Sequence, residues 1–333
     1  MRIILPVAVL VAASLVGAAT ISESFSTDPL ARGWKFFGDT NLVRWNATNQ
    51  NLDVTWDSSR TNSFFQFPLG TIVSKIDDFA LAFDLRMRDL AIGTSAGKPD
   101  TFEIALGLIN AVNSTNPNYF RGTGQSAAYG VKNSVEFDYF PATAVISATF
   151  APTIISSNAL VSFSDNHDGV VLTTNDLFHI ALTYTASNRV LKTAITRNGL
   201  PYGAPPNNTI KDMTLATDRD FRVDRLAIIN YTDALQVGQT QFWGSILAHG
   251  TVDNLLVTVP DPPVGNFSGV KSNATWRATF ATKTNWFYSL DRSVDFATWS
   301  AASATNSGTG GVMLLQDTNA VTNAFYRVKA VKP

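Results

Sequence analysis

Glu136 and Asp138 stand two residues apart in Val135-Glu136-Phe137-Asp138-Tyr139-Phe140. On an extended strand such residues share a face, with Cβ atoms about 7 Å apart. Val135, Phe137 and Tyr139 then face the other way. Two acids so placed can hold a hard cation, can act as acid and nucleophile, or can be solvated on an outer sheet face. Asp165-Asn166-His167-Asp168-Gly169 is the next oxygen-rich cluster downstream, and reads either as further ligands or as a polar turn. Two aromatic residues have glycine neighbours and polar flanks: Tyr119 in Tyr119-Phe120-Arg121-Gly122, and Trp243 in Gln241-Phe242-Trp243-Gly244. Exposed rings of this kind stack on the apolar C–H faces of sugars, whereas most aromatic side chains in a β-sandwich are core. Trp34, Trp45 and Trp56 fall in the first strands and read as core.

Other chemistries find little support. The chain has no Cys, which excludes thiolate zinc sites, Cys nucleophiles and disulfides. His167, His179 and His249 are dispersed, and His179 reads as a polar ring at a sheet rim. There is no phosphate loop or zinc spacing. A formal net charge of −1 leaves no electrostatic footprint for nucleic acid or an anionic membrane. After the N-terminal segment only Glu23, Glu103 and Glu136 remain as glutamates.

Period-2 alternation positions these residues. It predicts strands at 51–56, 79–88, 102–108, 134–140, 178–184, 190–196, 222–229 and 252–259. Ala186-Ser187-Asn188-Arg189 joins two of them as a hairpin, and Asn198-Gly199 closes the second. No mature segment of twelve residues carries a 3.6-residue period. Strands without interleaved helices predict an all-β antiparallel sandwich or barrel. A hydrophobic share of 45% with only 15% charged residues suffices for a core.

Met1–Ala19 reads as a secretory signal peptide: one Arg, an apolar run of roughly 14 residues and a small-residue cleavage site. The run is short of the ~20 residues that span a bilayer. The mature protein is therefore expected to be secreted, periplasmic or at the cell surface, without membrane insertion. Residues 20–259 form the predicted large domain. Pro260-Asp261-Pro262-Pro263 is a stiff linker, and residues 264–333 form a small β module. Its predicted strands cover 276–280, 286–290, 312–315 and 324–331, with 305–311 as a flexible loop. At this size Tyr288, Trp299 and Tyr326 are expected in its core.

Val135-Glu136-Phe137-Asp138 resembles the metal-binding strand of legume-type lectins. Phe178–Tyr184, its turn and Leu191–Thr196 resemble a hairpin of the concanavalin A-like lectin/glucanase superfamily. The resemblance covers residues 20–259 and implies a jelly-roll sandwich. Asp100, 36 residues before Glu136, matches the sugar-contacting Asp of those lectins in order and spacing. The departures lie in Phe140-Pro-Ala-Thr-Ala-Val-Ile-Ser147, which lacks the Asn and Asp that complete the lectin metal pair. Ca2+ at Glu136 and Asp138 is the one metal reading, and no other cofactor is implied. The glucanase pattern requires another Glu at Phe140 or Pro141, and neither carries a carboxyl. Glu103 is the remaining acid able to approach Glu136.

Phe25–Trp34, Val54–Ser59, Phe67–Gly70 and, in the tail, Tyr288–Trp299 with Ala324–Val328 also resemble exported proteins of Verrucomicrobia-type bacteria. The sequence thus implies a non-catalytic exported protein that binds glycan or another surface component on the concave sheet of the large domain rather than on the small module, through Asp100, Glu136, Asp138, Tyr119 and Trp243. A structural or adhesion protein of the cell surface is the first alternative. A divergent glycoside hydrolase or polysaccharide lyase is the second.

Overall fold

The computed structural model describes residues 18–116, 119, 132–144, 147–164, 166, 170–233, 244–321 and 323–333. The protein is all-β: its described helices are two single turns, Pro29–Arg32 and Ala111–Ser114. The chain divides into two compact units, residues 1–69 with 73–260, and residues 70–72 with 261–333.

Two antiparallel sheets make the larger unit. In chain order its strands are β1 (Ala18–Glu23), β2 (Lys35–Phe37), β3 (Val43–Asn46), β4 (Asn51–Asp57), β5 (Ser63–Ser74), β6 (Phe79–Ile92), β7 (Ile104–Ile109), β8 (Ser134–Phe140), β9 (Thr149–Ile155), β10 (Val161–Phe163), β11 (Phe178–Thr185), β12 (Val190–Arg197), β13 (Leu200–Tyr202), β14 (Met213–Thr214), β15 (Arg222–Asn230) and β16 (Ile246–Pro260). A nine-stranded sheet runs β13-β12-β11-β6-β16-β4-β3, with β1 on β16 and β14 on β12. A seven-stranded sheet runs β10-β9-β8-β7-β15-β5-β2.

Alternation decides which side chains meet between them. In β6, Phe79, Leu81, Phe83, Leu85 and Met87 are buried, while Asp84, Arg86 and Arg88 point outward. Phe83 meets Phe137 of β8 edge-on at 5.6 Å, so those faces form the core. Truncating so buried a ring to Ala costs about 3–5 kcal/mol. Asn198 and Gly199 turn β12 into β13 with φ of 51° and 82°, the left-handed pair that a two-residue hairpin needs. The 186–189 hairpin forms as expected, Thr185 facing Val190.

Strand β1 starts at Ala18, pairing Ala18 with Pro260 and Ala19 with Val259. Sequence alternation missed β9, which carries Pro152, a residue that cannot donate to a ladder.

The smaller unit has two sheets. Strands β17 (Gly265–Ser272), β18 (Thr275–Ala281) and β22 (Val312–Asp317) form one. Strands β19 (Phe287–Ser293), β20 (Ser300–Ala301), β21 (Asn306–Ser307) and β23 (Phe325–Val331) form the other. Ala278, Phe280, Trp286, Tyr288, Leu290 and Leu315 make their shared core. Asn306 and Ser307, predicted as flexible loop, pair with Tyr288 and Phe287. Trp299 is not in this core but beside Arg327 on an outer face, 4.2 Å from ring centroid to guanidinium.

Candidate functional site

Strand β8 lies between β7 and β9, with Glu136 opposite Gly107 and Thr153, and Asp138 opposite Ala105 and Ala151. Both carboxylates point away from the core, as the period requires. Small neighbours on either side keep this stripe low. At Gly107 even a methyl would lie 2.2 Å from the Val135 carbonyl oxygen, so the close approach needs glycine.

The expectation of a solvated stripe is overturned. Glu136 and Asp138 are each 0% exposed. A second layer lies over the sheet: the Tyr231 hydroxyl donates to Glu136 Oε1 at 2.7 Å, and the Tyr119 hydroxyl lies 3.5 Å from that of Tyr231. The two rings stack at 6.4 Å, and Phe64 of β5 meets both edge-on. Asn62 fixes this layer, donating to the Tyr119 carbonyl and accepting from Thr232 N. Tyr119, expected on an exposed loop, is 2% exposed and serves as cover. A buried carboxylate needs such donors, because desolvation without them is costly.

Asp100 is elsewhere. It lies in the β6–β7 connection, four residues before Ile104, whose partner is Tyr139. Glu136 faces Gly107, so Asp100 sits beyond the strand end and is not a neighbour of Glu136. Its carbonyl accepts Ser245 N at 2.9 Å, and its backbone bridges Gly244. Gly244 permits the contact, since a Cβ there would meet the Thr101 carbonyl oxygen at 1.7 Å. The Asp100 side chain remains partly exposed.

A buried ionic cluster holds this rim, and sequence reasoning missed it. Asp233 accepts from Lys98 Nζ at 2.8 Å, Ser95 Oγ at 2.9 Å and Ser58 Oγ at 3.2 Å. Ser245 Oγ donates to the Lys98 carbonyl at 2.9 Å and accepts Ser95 N at 2.8 Å. The end of β4, the β6–β7 connection and both flanks of segment 234–243 are thereby tied together. The partners are far apart in sequence and lie in loops, where no periodicity marks them. Trp243, Asp165, His167 and Asp168 fall outside the described residues.

The carboxylate stripe does not fit calcium. Ca2+ takes six to eight oxygens. Here Glu136 is engaged by a tyrosine hydroxyl, and the described part of the following loop adds no carboxylate. Among the described residues no group of three His, Asp or Glu can hold a metal ion. Nor does Glu103 face Glu136: it precedes Ile104, so the register carries it past Asp138. All three glutamates are buried.

The described histidines belong to the outer face of the nine-stranded sheet. His179 is the second residue of β11, which lies between β12 and β6, and its Nδ1 is 2.7 Å from Asp84 Oδ1. Asn254, in a left-handed bulge of β16, donates to Asp84 Oδ2 at 2.8 Å. The hydrogen bond to Asp84 raises the His179 pKa against the pull of partial burial. Burial alone would raise Asp84, but the bonds from His179 and Asn254 hold it below its ordinary value. His249 makes a similar 2.7 Å contact with Asp89.

Two antiparallel sheets, of nine and seven strands, make the larger unit an all-β sandwich. Among solved structures, lectin UEA-II complexed with galactose is similar over 72% of this chain and 98% of its own, at 14% identity and a TM-score of 0.43. The carbohydrate recognition domain of Emp47p matches over 72% and 98%, at 10% identity and 0.40. A Bacillus subtilis protein of unknown function with a galectin-like fold matches over 72% and 96%, at 10% and 0.39. No protein-family model matches the chain, and no curated protein sequence matches it.

Proposed function

We propose that this is an exported, non-catalytic carbohydrate-binding protein, with its glycan site at the rim around Asp100 rather than on the carboxylate stripe. The observation that supports the reading is the Lys98–Asp233 cluster, which fixes three chain segments around a half-exposed carboxylate. A pre-ordered hydrogen-bonding rim loses little conformational freedom when a sugar hydroxyl docks. Glu136 and Asp138 then support the sheet beneath instead of touching ligand, as their burial requires. Export follows from the leader-like Met1–Ala19, and the intact mass of secreted protein tests it.

A glycan array with the full chain is the test. One ligand class should bind, and Asp100→Ala should weaken it about tenfold, the equivalent of one charge-assisted hydrogen bond. The melting temperature should hardly change, because this carboxylate is only half-buried. An array without binders, or full affinity in Asp100→Ala, defeats the reading. The first outcome favours a structural or adhesive role.

A further inference from the structure

We propose that the outer face of the β19-β20-β21-β23 sheet in the smaller unit is a second binding surface, made for an anionic polysaccharide. Along β23, Phe325, Arg327, Lys329 and Val331 share the exposed face. At about 6.8 Å per step they draw a strip of roughly 20 Å. Phe287 faces Val331 at one end. At the other, Phe296 lies on Phe325 with ring centroids 3.6 Å apart. The strip is therefore apolar at both ends and cationic in the middle.

Its parts are held in place. Arg327 is bound by Asp291 Oδ2 at 3.0 Å and covered by the Trp299 ring at 4.2 Å. Trp299 Nε1 donates to the Phe296 carbonyl at 3.1 Å. Asp295 ties the turn by accepting Ala297 N at 2.9 Å and Thr298 N at 2.7 Å. Within that turn Phe296 has φ of +60° and is 62% exposed. A large ring is disfavoured both in that conformation and in water, and core packing explains neither. Residues kept in such backbone strain cluster at binding sites.

Charge selects the partner. Residues 261–333 hold four Lys and three Arg against four Asp, a net charge of +3 in a chain whose total is −1. Among the described residues no carboxylate pairs with Lys329. A sugar polymer bearing carboxylates or sulfates offers anions for Lys329 and Arg327 and apolar ring faces for the aromatics. Phe296 packs on Phe325 at 3.6 Å and edge-on against Trp299 at 6.3 Å, and rings held to one another in this way favour a polymer over a lipid bilayer.

The test uses the full chain in affinity electrophoresis with polygalacturonate and heparin, dextran as the neutral control, and phosphatidylglycerol vesicles as the lipid arm. Retention by at least one anionic polymer is expected, falling with added salt, and the two polymers separate carboxylate from sulfate recognition. Lys329→Glu should weaken retention tenfold or more. Phe296→Gly removes the ring and its backbone strain together, so retention should fall while the melting temperature holds or rises. Asp100→Ala should retain full binding, which separates this surface from the rim of the larger unit. Equal retention by dextran, binding to vesicles alone, no retention by either polymer, or unchanged retention in Lys329→Glu and Phe296→Gly would overturn the proposal.

Discussion

The Tyr231 hydroxyl donates to Glu136 across the outer face of the seven-stranded sheet, at 2.7 Å and out of contact with solvent. Tyr231 immediately follows β15, and Glu136 lies in β8, two strands away across β7. The bond therefore spans the sheet and fastens its covering layer. It gives Glu136 a structural duty that its resemblance to a lectin metal strand does not imply.

Tyr231→Phe removes that donor and keeps the ring. The loss should be about 1.5–3 kcal/mol, the range for hydrogen bonds to charged groups. Glu136→Ala should also lower stability, because it strips a buried network of its acceptor. Urea denaturation of each variant measures both. Unchanged midpoints would mean that the bond adds nothing.

Lys98 and Asp233 have side chains only 18% and 8% exposed. Asp233→Asn leaves the ammonium without its counter-charge, and breaking a buried pair from one side costs about 3–5 kcal/mol. Lys98→Met added to Asp233→Asn should recover part of that loss. Hydrogen exchange should show residues 93–103 opening first, and a uniform response across the sandwich would contradict a local role for the pair.

The His179 pKa is raised by the hydrogen bond to Asp84. Folded His179 therefore holds its proton more tightly than an unfolded histidine, whose pKa is about 6.5. The stabilisation is complete below that value and disappears as pH rises through the folded pKa. With His179 44% exposed, screening limits the effect to below about 1 kcal/mol. Denaturation midpoints should fall from pH 5.5 to 8.5 more in the parent protein than in Asp84→Asn. Parallel profiles would remove the pair from the account.

Asp176 runs the other way. Hydrogen bonds from Thr173, Asn198 and Arg197 hold its pKa at about 2, below the ordinary 3.8. Its contribution is present above pH 3.8 and lost as pH falls through 2. Asp176→Asn should make stability less sensitive to acid over this window, as read by the fluorescence midpoint.

Purified protein should release no reducing sugar from β-glucans. Phe140 and Pro141 stand where a further carboxyl is needed, and Glu103 does not face Glu136. Steady release that Glu136→Gln abolishes would restore the hydrolase reading.

Several elements were legible before any contact was known. The alternation in Phe79–Arg88 and Ser134–Phe140 marks inward and outward faces, because strand geometry permits only two. Asn198-Gly199 marks its turn, because few residues tolerate φ above zero twice in succession. The all-β class, the small C-terminal sheets and the shared face of Glu136 and Asp138 follow from such local rules. Whether that shared face meets water does not. Tyr231 lies 95 residues from Glu136, and Tyr119 lies 112 from Tyr231. Asp233 lies 135 from Lys98. Period fixes the direction of a side chain relative to its own strand, but burial depends on which distant segment lies above it. Trp299 shows the converse: its size suggested core, and the turn at Phe296 set it on an outer face beside Arg327. Local sterics write the strands and turns into the sequence. The layer over the carboxylates and the cluster beneath Asp100 arise only when remote loops converge, because hydrogen-bond partners in loops carry no spacing rule.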